Sequence, residues 1–335
     1  MKKMSVDLVF VVGCGSIARR HIANLKRLGV RRVAAYDPDA AHLEQVRKEL
    51  GCEPARSLPA GLALSPDAVL VCTPPSAHAE AALAAIERGI PCFVEKPLAD
   101  TVKAAEDIRR AANHRGVLVA VGYQLRRHPA IAWIRKGLDE RRWGPVQYIR
   151  ASVGQYLPDW RPWQDYRKSY TARKALGGGI LLDASHEIDL ALHLAGPAKS
   201  VFCVADRLSA LKIDVEDTAE ITIRFTSGAM GSVHLDMIRR AYDRSCQILC
   251  RDGVVEWSYQ DGTVREYDAR ASKWKTLAIS KDGNVQYLDE MRLFLSSLRR
   301  RRAPGLAGLD ESIAALKVVE AAKRSSRAGR TVSLR

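Results

Sequence analysis

The sequence has no stretch of about 18 consecutive apolar residues, which excludes a conventional membrane-spanning helix. It also lacks internal repeats, low-complexity segments and any recognisable nucleic-acid-binding module. Those absences matter because the formal charge is +15. The basic residues are spread along the chain. The one run, Arg299-Arg300-Arg301-Arg302, reads as a helix end, where cations suit both the dipole and solvent. A basic balance without a nucleic-acid module or an apolar span points to an anionic small molecule rather than to DNA, RNA or a membrane.

Secretory features are missing as well. The opening residues lead straight into an apolar run that ends in Gly13-Cys14-Gly15, with no helical apolar region and no small-residue cleavage site. The 7 cysteines are odd in number, and Cys72, Cys92 and Cys203 sit inside strand-like apolar runs. Buried thiols of a reducing compartment are the reading, and a cytoplasmic location is expected. Cys246 and Cys250 are spaced C-x₃-C with no histidine or second cysteine pair nearby, so no metal site is expected.

What is present is a chain of 335 residues, 47% apolar and 27% charged, long enough for two domains. Residues 6–12 form a near-continuous apolar run, as a central parallel strand does. Gly13-Cys14-Gly15-Ser16-Ile17-Ala18 follows, and 19–28 read as helix. This is G-x-G-x-x-A between strand and helix. Gly13 permits the tight turn, Gly15 lets the backbone approach a pyrophosphate, and Ala18 allows close helix–strand packing. The helix start offers about half a positive charge to phosphates. Cys14, Ser16 and Ile17 complete the phosphate loop. The next strand, 32–36, ends at Asp37, 22 positions after Gly15, where an acid meets the adenosine ribose. A carboxylate there repels a 2′-phosphate, so NAD(H) is expected over NADP(H).

The β–α alternation continues through strands at 68–72, 92–94 and 117–121, which indicates a doubly wound parallel sheet. Thr73-Pro74-Pro75 follows one strand, with Ser76 expected to cap the next helix and His78 near its start. His78 either faces a cofactor or packs at the helix start. Glu95-Lys96-Pro97 ends another. Ligands of open α/β sheets bind outside the carboxyl ends of the strands, so Lys96 points toward ligand unless it is a surface ion pair with Glu95.

Together these stretches resemble the Gfo/Idh/MocA oxidoreductases, relatives of glucose–fructose oxidoreductase and inositol 2-dehydrogenase. The resemblance rests on Gly13–Ala18, Thr73-Pro74-Pro75 with His78, and Glu95-Lys96-Pro97. It extends to Gly177-Gly178-Gly179, Asp183, His186 and Asp189. It implies an N-terminal Rossmann domain, 1–123, and a C-terminal α/β domain, 124–335, with an open, mostly antiparallel sheet. That second domain is expected to bind substrate and to pair copies into a homodimer or homotetramer. The resemblance also implies that Lys96 meets both nicotinamide and substrate, and that Asp183 and His186 complete the active site. Glu95, Thr73, Pro74 and Gln124 fall to the cofactor side.

In the second half, 122–129 leave the fifth strand. Arg126 or Arg127 holds an anionic or hydroxyl-rich substrate, or both are solvated. The stretch 156–167 carries Trp160, Arg161, Trp163 and Tyr166. Aromatic faces suit sugar rings and guanidinium forks suit carboxylate or phosphate, so it reads as a substrate or subunit-contact loop, the alternative being a self-packed Ω-loop. A single helix is expected over 180–194, with Asp183 and His186 on one face. The glycine triplet before it lets a ligand or another backbone approach. Asp183-Ala184-Ser185-His186 is D-x-x-H where the familiar pattern is D-x-x-x-H. A branch with D-x-S-H-E-x-D, associated with unusual sugars of surface polysaccharides, is closer. Strands are expected at 146–153, 201–205, 218–225, 231–237, 246–250 and 254–259, with His234 structural. Helices are expected over 285–300 and 310–323, the second capped by Asp310.

The expected function is hydride transfer between NAD(H) and a hydroxyl carbon of a sugar, with a nucleotide sugar or acidic sugar favoured by the charge. Either Lys96 or His186 serves as the general acid/base. The competing readings are a dinucleotide-sensing binder without catalysis and an eliminase-type enzyme with tightly held NAD.

Overall fold

The computed structural model describes residues 6–279 and 281–334, so the five opening residues lie outside the description. The chain divides into two compact units. One runs up to Arg127 and includes Asn284–Ile313; the other comprises His128–Gly283 and the stretch from Ala314 onward.

The first unit is built on six strands: β1 (Leu8–Val12), β2 (Arg32–Tyr36), β3 (Glu53–Pro54), β4 (Ala68–Val71), β5 (Cys92–Glu95) and β6 (Val119–Gly122). Their order is β3-β2-β1-β4-β5-β6, all parallel, so the doubly wound expectation holds. Every residue of β1, β4, β5 and β6 is buried, which is why these strands read as continuous apolar runs rather than alternating ones. Order reverses between β1 and β4. The carboxyl ends of these two strands carry Gly13 and Thr73.

The segment 284–313, placed by the sequence reading in the second domain, packs with the first unit. Helix Val285–Ser297 buries Met291, Phe294 and Leu295 in the same core cluster as Val9, Leu70 and Phe93. Phe93 and Phe294 meet edge-on at 5.5 Å. An apolar helix face does not reveal in sequence which core will bury it.

The second unit holds a nine-stranded sheet: β7 (Val146–Gly154), β8 (Ala198–Asp206), β9 (Thr218–Phe225), β10 (Met230–Asp236), β11 (Asp243–Cys250), β12 (Gly253–Ser258), β13 (Thr263–Asp268), β14 (Lys273–Ala278) and β15 (Val332–Ser333). The order is β14-β13-β12-β11-β7-β10-β9-β8-β15, antiparallel except for the parallel pair β7–β10. β9 alternates cleanly: Ala219, Ile221, Ile223 and Phe225 are buried, Glu220, Thr222 and Arg224 exposed. Helix Ser185–Ala195 packs on the buried face, against β7 and β10. The other face shows Phe202, Val204, Met230 and Trp274 to solvent. No helix among the described residues is long and apolar enough to cross a membrane.

Three local expectations are corrected. Ser76 does not cap a helix: a 3-10 turn, Pro75–Ala77, precedes helix His78–Glu87, and Ser76 is exposed. Ser76 lies inside that turn, and Ala77 takes the position that precedes the helix. Asp310 lies inside helix Leu309–Ala328, where Glu311 instead accepts the Gly308 N–H at 3.1 Å. The helix expected over 180–194 is two, Ile180–Asp183 and Ser185–Ala195, broken at Ala184.

Candidate active site

The glycine loop has the form that a pyrophosphate site requires. Gly13 has φ +94°, and a Cβ there would lie 2.6 Å from the Cys72 carbonyl oxygen, so only glycine fits. Gly15 opens helix Ser16–Arg27 without a side-chain cap, and nothing lies within 4 Å of where its Cβ would be. Asp37 accepts the Cys14 N–H at 2.7 Å and the Asp39 N–H at 2.8 Å. The loop and the acid are thus one hydrogen-bonded unit. Burial, with the Asp37 charge beside it, pushes the Cys14 thiol up to about 12, so it is inert. Thr73 Oγ1 is buried and has no hydrogen-bond partner among the described residues. A buried hydroxyl of that kind, above a glycine cradle with open space, fits a dinucleotide.

His78 does not face outward. It is 1% exposed, with Nδ1 2.8 Å from the Pro97 carbonyl and Nε2 2.8 Å from the Thr73 carbonyl. The ring ties the Thr73 loop to the Lys96-Pro97 step, whose peptide is cis. Burial lowers its pKa against these two carbonyl bonds. Of the two readings of His78, packing is the one this geometry fits.

Glu95 is not a surface partner of Lys96. It is 7% exposed and sits 2.6 Å from Nε2 of His21, a residue the sequence reading passed over. The signal for His21 was there: it shares the buried helix face of Ala18, Ile22 and Leu25. Lys96 itself is half-buried. Gln124 is buried and donates to the Tyr287 hydroxyl at 3.1 Å. Arg127 is engaged by Asp289, at 2.7 Å from Nε and 2.6 Å from Nη2, which makes it structural; Arg126 is half-buried.

In the second unit Asp183 is 7% exposed and accepts from two hydroxyls, Tyr170 Oη at 2.8 Å and Thr171 Oγ1 at 2.5 Å. The glycine triplet serves this contact, because a Cβ on Gly178 would lie 2.3 Å from the Tyr170 carbonyl and 2.6 Å from that of Thr171. Another backbone is therefore what approaches. His186 is 7% exposed, on the first turn of its helix. The next residue, Glu187, is fully buried and paired with Arg244 at 2.8 Å.

The aromatic loop is a chain of short turns. Trp160 donates to the Gln155 carbonyl at 2.9 Å, and the Tyr166 hydroxyl accepts the Lys212 N–H at 3.2 Å. Trp163 is 75% exposed, whereas Arg161 and Tyr166 are half-buried. Trp160 and Tyr166 thus have structural contacts, and Trp163 offers an open ring. A cavity of about 230 Å³ in this unit is lined by His128, Tyr242, Tyr259, Gln260, Lys281 and Asp282. His128 is held neutral, its pKa pushed down to about 4 by burial and then by Arg244.

Comparison with known proteins matches both halves. The profile "Oxidoreductase family, NAD-binding Rossmann fold" covers residues 8–123, and "GFO/IDH/MocA C-terminal domain" covers 131–256. A myo-inositol 2-dehydrogenase of Thermotoga maritima is 28% identical over 344 aligned positions, 97% of each chain. A UDP-N-acetylglucosamine 3-dehydrogenase of Acidithiobacillus ferrooxidans is 26% identical, covering 92% of this chain and 95% of its own. The crystal structure of GenD2 from gentamicin A biosynthesis, in complex with NAD, superposes with a TM-score of 0.85 at 25% identity, over 100% of this chain and 98% of that one.

Proposed function

The chain belongs to the Gfo/Idh/MocA oxidoreductase family, and from that premise we propose that it is an NAD(H)-dependent dehydrogenase of a sugar or cyclitol alcohol. The observation that carries the reading is the buried Asp183 carboxylate, held by Tyr170 and Thr171 three positions before a buried His186. A dinucleotide sensor has no use for that acid/base set.

The cofactor, when bound, supplies or accepts hydride. Gly13, Gly15 and the start of helix Ser16–Arg27 hold its phosphates, and Asp37 takes the ribose hydroxyls. Asp37 is also the ground for preferring NAD(H) to NADP(H), since its charge opposes a 2′-phosphate. Lys96 hydrogen-bonds the substrate oxygen and steadies the charge that develops on it. His186 takes or returns the alcohol proton, an assignment favoured because histidine titrates near neutrality whereas lysine needs a large downward shift. Asp183 orients that exchange.

For the substrate we favour an anionic sugar. The support is the charge of +15, Arg161 and the open ring of Trp163, which suit a sugar face with a carboxylate or phosphate attached. Pairing of copies through the open sheet face is supported by exposed Phe202, Val204, Met230 and Trp274. A cytoplasmic setting is supported by seven free, buried cysteines.

The test begins with mass spectrometry of the purified protein for retained cofactor, then NADH and NADPH titration by fluorescence. Turnover is next screened with inositols, hexuronic acids and UDP-sugars. Tight NADH binding with turnover of a charged sugar supports the whole reading. Turnover of neutral cyclitols alone removes the anionic substrate. NADH binding with no hydride exchange on any of them removes the dehydrogenase.

A further inference from the structure

A glutamate is almost never buried unless something pairs with it. Glu95 closes β5 where an apolar residue would serve the strand as well, and its carboxylate is enclosed on three sides. On one side Nε2 of His21 lies 2.6 Å from Oε1, and His21 is 0% exposed. On another, Oε2 accepts the backbone N–H of Lys96 at 3.2 Å. On the third is Gly122, the register partner of Glu95 in β6, where a Cβ would lie 3.1 Å from the carboxyl carbon and both oxygens. Gly122 therefore makes the room that the carboxylate fills.

The histidine is fixed as firmly as the glutamate. Its ring meets Phe93 edge-on at 5.3 Å and Tyr287 at 6.2 Å, and the Arg20 guanidinium covers Tyr287 at 4.4 Å. Nδ1 is buried with no hydrogen-bond partner among the described residues, so the proton belongs on Nε2, which donates to Glu95. The charge of Glu95 is felt by Cys72, whose thiol burial and this carboxylate both push up, and by His78.

We propose that His21 and Glu95 are a positioning pair that locks Lys96 to the dinucleotide-binding helix. The proposal rests on the reading of Lys96 given above. Oε2 fixes the direction in which the chain leaves β5, and hence where the lysine amine sits. His21 lies on the helix whose first turn holds the phosphates. One side-chain bond thus makes the phosphate site and the lysine a single body. A displacement of about 1 Å in a reacting group costs on the order of a hundredfold in rate, so such a strut acts on turnover more than on binding.

The test uses the full chain with His21→Leu, His21→Gln and Glu95→Gln. Glutamine at 21 can present an N–H where Nε2 stands; leucine cannot. Lys96 reactivity is read from acetic anhydride labelling across pH, with peptide mass spectrometry, and NADH affinity from fluorescence. For His21→Leu, Lys96 labelling changes at least fivefold while NADH affinity stays within threefold of wild type. With a substrate from the screen, kcat falls at least thirtyfold with KM within threefold. His21→Gln returns each value to within threefold. Unchanged Lys96 labelling in His21→Leu, or a glutamine variant as impaired as the leucine one, overturns the proposal. If His21→Leu does not fold, Glu95→Gln decides: labelling altered at least threefold supports the pair, and unchanged labelling overturns it. Altered labelling with unaltered kcat supports the pair and overturns the role given to Lys96, which keeps the two readings apart.

Discussion

The Asp37 carboxylate accepts the backbone N–H of Cys14 at 2.7 Å, so the acid proposed to select the ribose also braces the glycine loop. Asp37→Asn removes the charge and leaves one acceptor oxygen for two backbone N–H groups. NADH affinity is expected to fall about tenfold, equivalent to about 1.4 kcal/mol, and the ratio of NADH to NADPH affinity to fall further. Fluorescence titration with both cofactors checks this. A wild-type protein that prefers NADPH would refute the role of Asp37.

Thr171 and Gly178 test the support of Asp183. Thr171→Val deletes a hydrogen bond to a buried carboxylate, worth about 1.5–3 kcal/mol, whereas Thr171→Ser keeps it. Turnover of the valine variant is expected at a tenth of wild type or less, with the serine variant close to wild type. In Gly178→Ala the new Cβ meets three backbone carbonyls, of Tyr170, Thr171 and Arg173, none of which can rotate away. Urea unfolding should show a loss of about 2–4 kcal/mol.

Much of this was legible in sequence because the signals are local. The G-x-G-x-x-A loop, the acid after the second strand and the wholly buried β1, β4, β5 and β6 each declare themselves within a few residues. The strands that went unseen have no such face. β14, Lys273–Ala278, is exposed at all positions but one, and β3 is two residues long. The break at Ala184 is equally silent, because Ile180–Ala195 is apolar enough to read as one helix. Partners distant in sequence were invisible for a different reason. His21 and Glu95 are 74 positions apart, and nothing in either segment names the other.

His234 gives a pH dependence with a definite sign. Its two ring nitrogens face carboxylates, Glu220 at 2.8 Å and Asp236 at 3.1 Å, and the Asp236 bond leads in raising its pKa. Burial opposes ionisation of Asp236, but His234 and the N–H groups of Ile238 and Arg239 outweigh it and lower its pKa. The histidine's contribution is full below its ordinary value near 6.5 and is lost as pH rises through the raised one. The aspartate's contribution is present above its ordinary range and is lost as pH falls. The pair therefore stabilises most from about pH 5 to 6. His234 is half-exposed, so screening keeps the gain below about 1 kcal/mol. Thermal melts of wild type and His234→Gln should differ most in that window and converge above neutrality.

Arg244 and Glu187 form a buried ion pair in the second unit. The contact is 2.8 Å, with side chains 15% and 1% exposed, and it is an ion pair rather than an aligned hydrogen bond. Both charges are felt nearby: Arg244 helps hold His128 neutral, and Glu187 adds to the burial that pushes the Cys246 thiol up to about 12. Removing one partner leaves the other charged in a poor solvent, at a cost of about 3–5 kcal/mol, whereas replacing both with apolar groups of similar volume is often neutral. Arg244→Met should therefore destabilise strongly and Arg244→Met with Glu187→Leu much less, a coupling that a double-mutant cycle in urea measures directly. Because Glu187 follows His186, the same cycle separates fold from chemistry. If the pair also sets the imidazole, the double variant recovers stability without recovering kcat. Recovery of both would reduce the pair to packing and leave Tyr170, Thr171 and Asp183 as the supports of the proposed acid/base site.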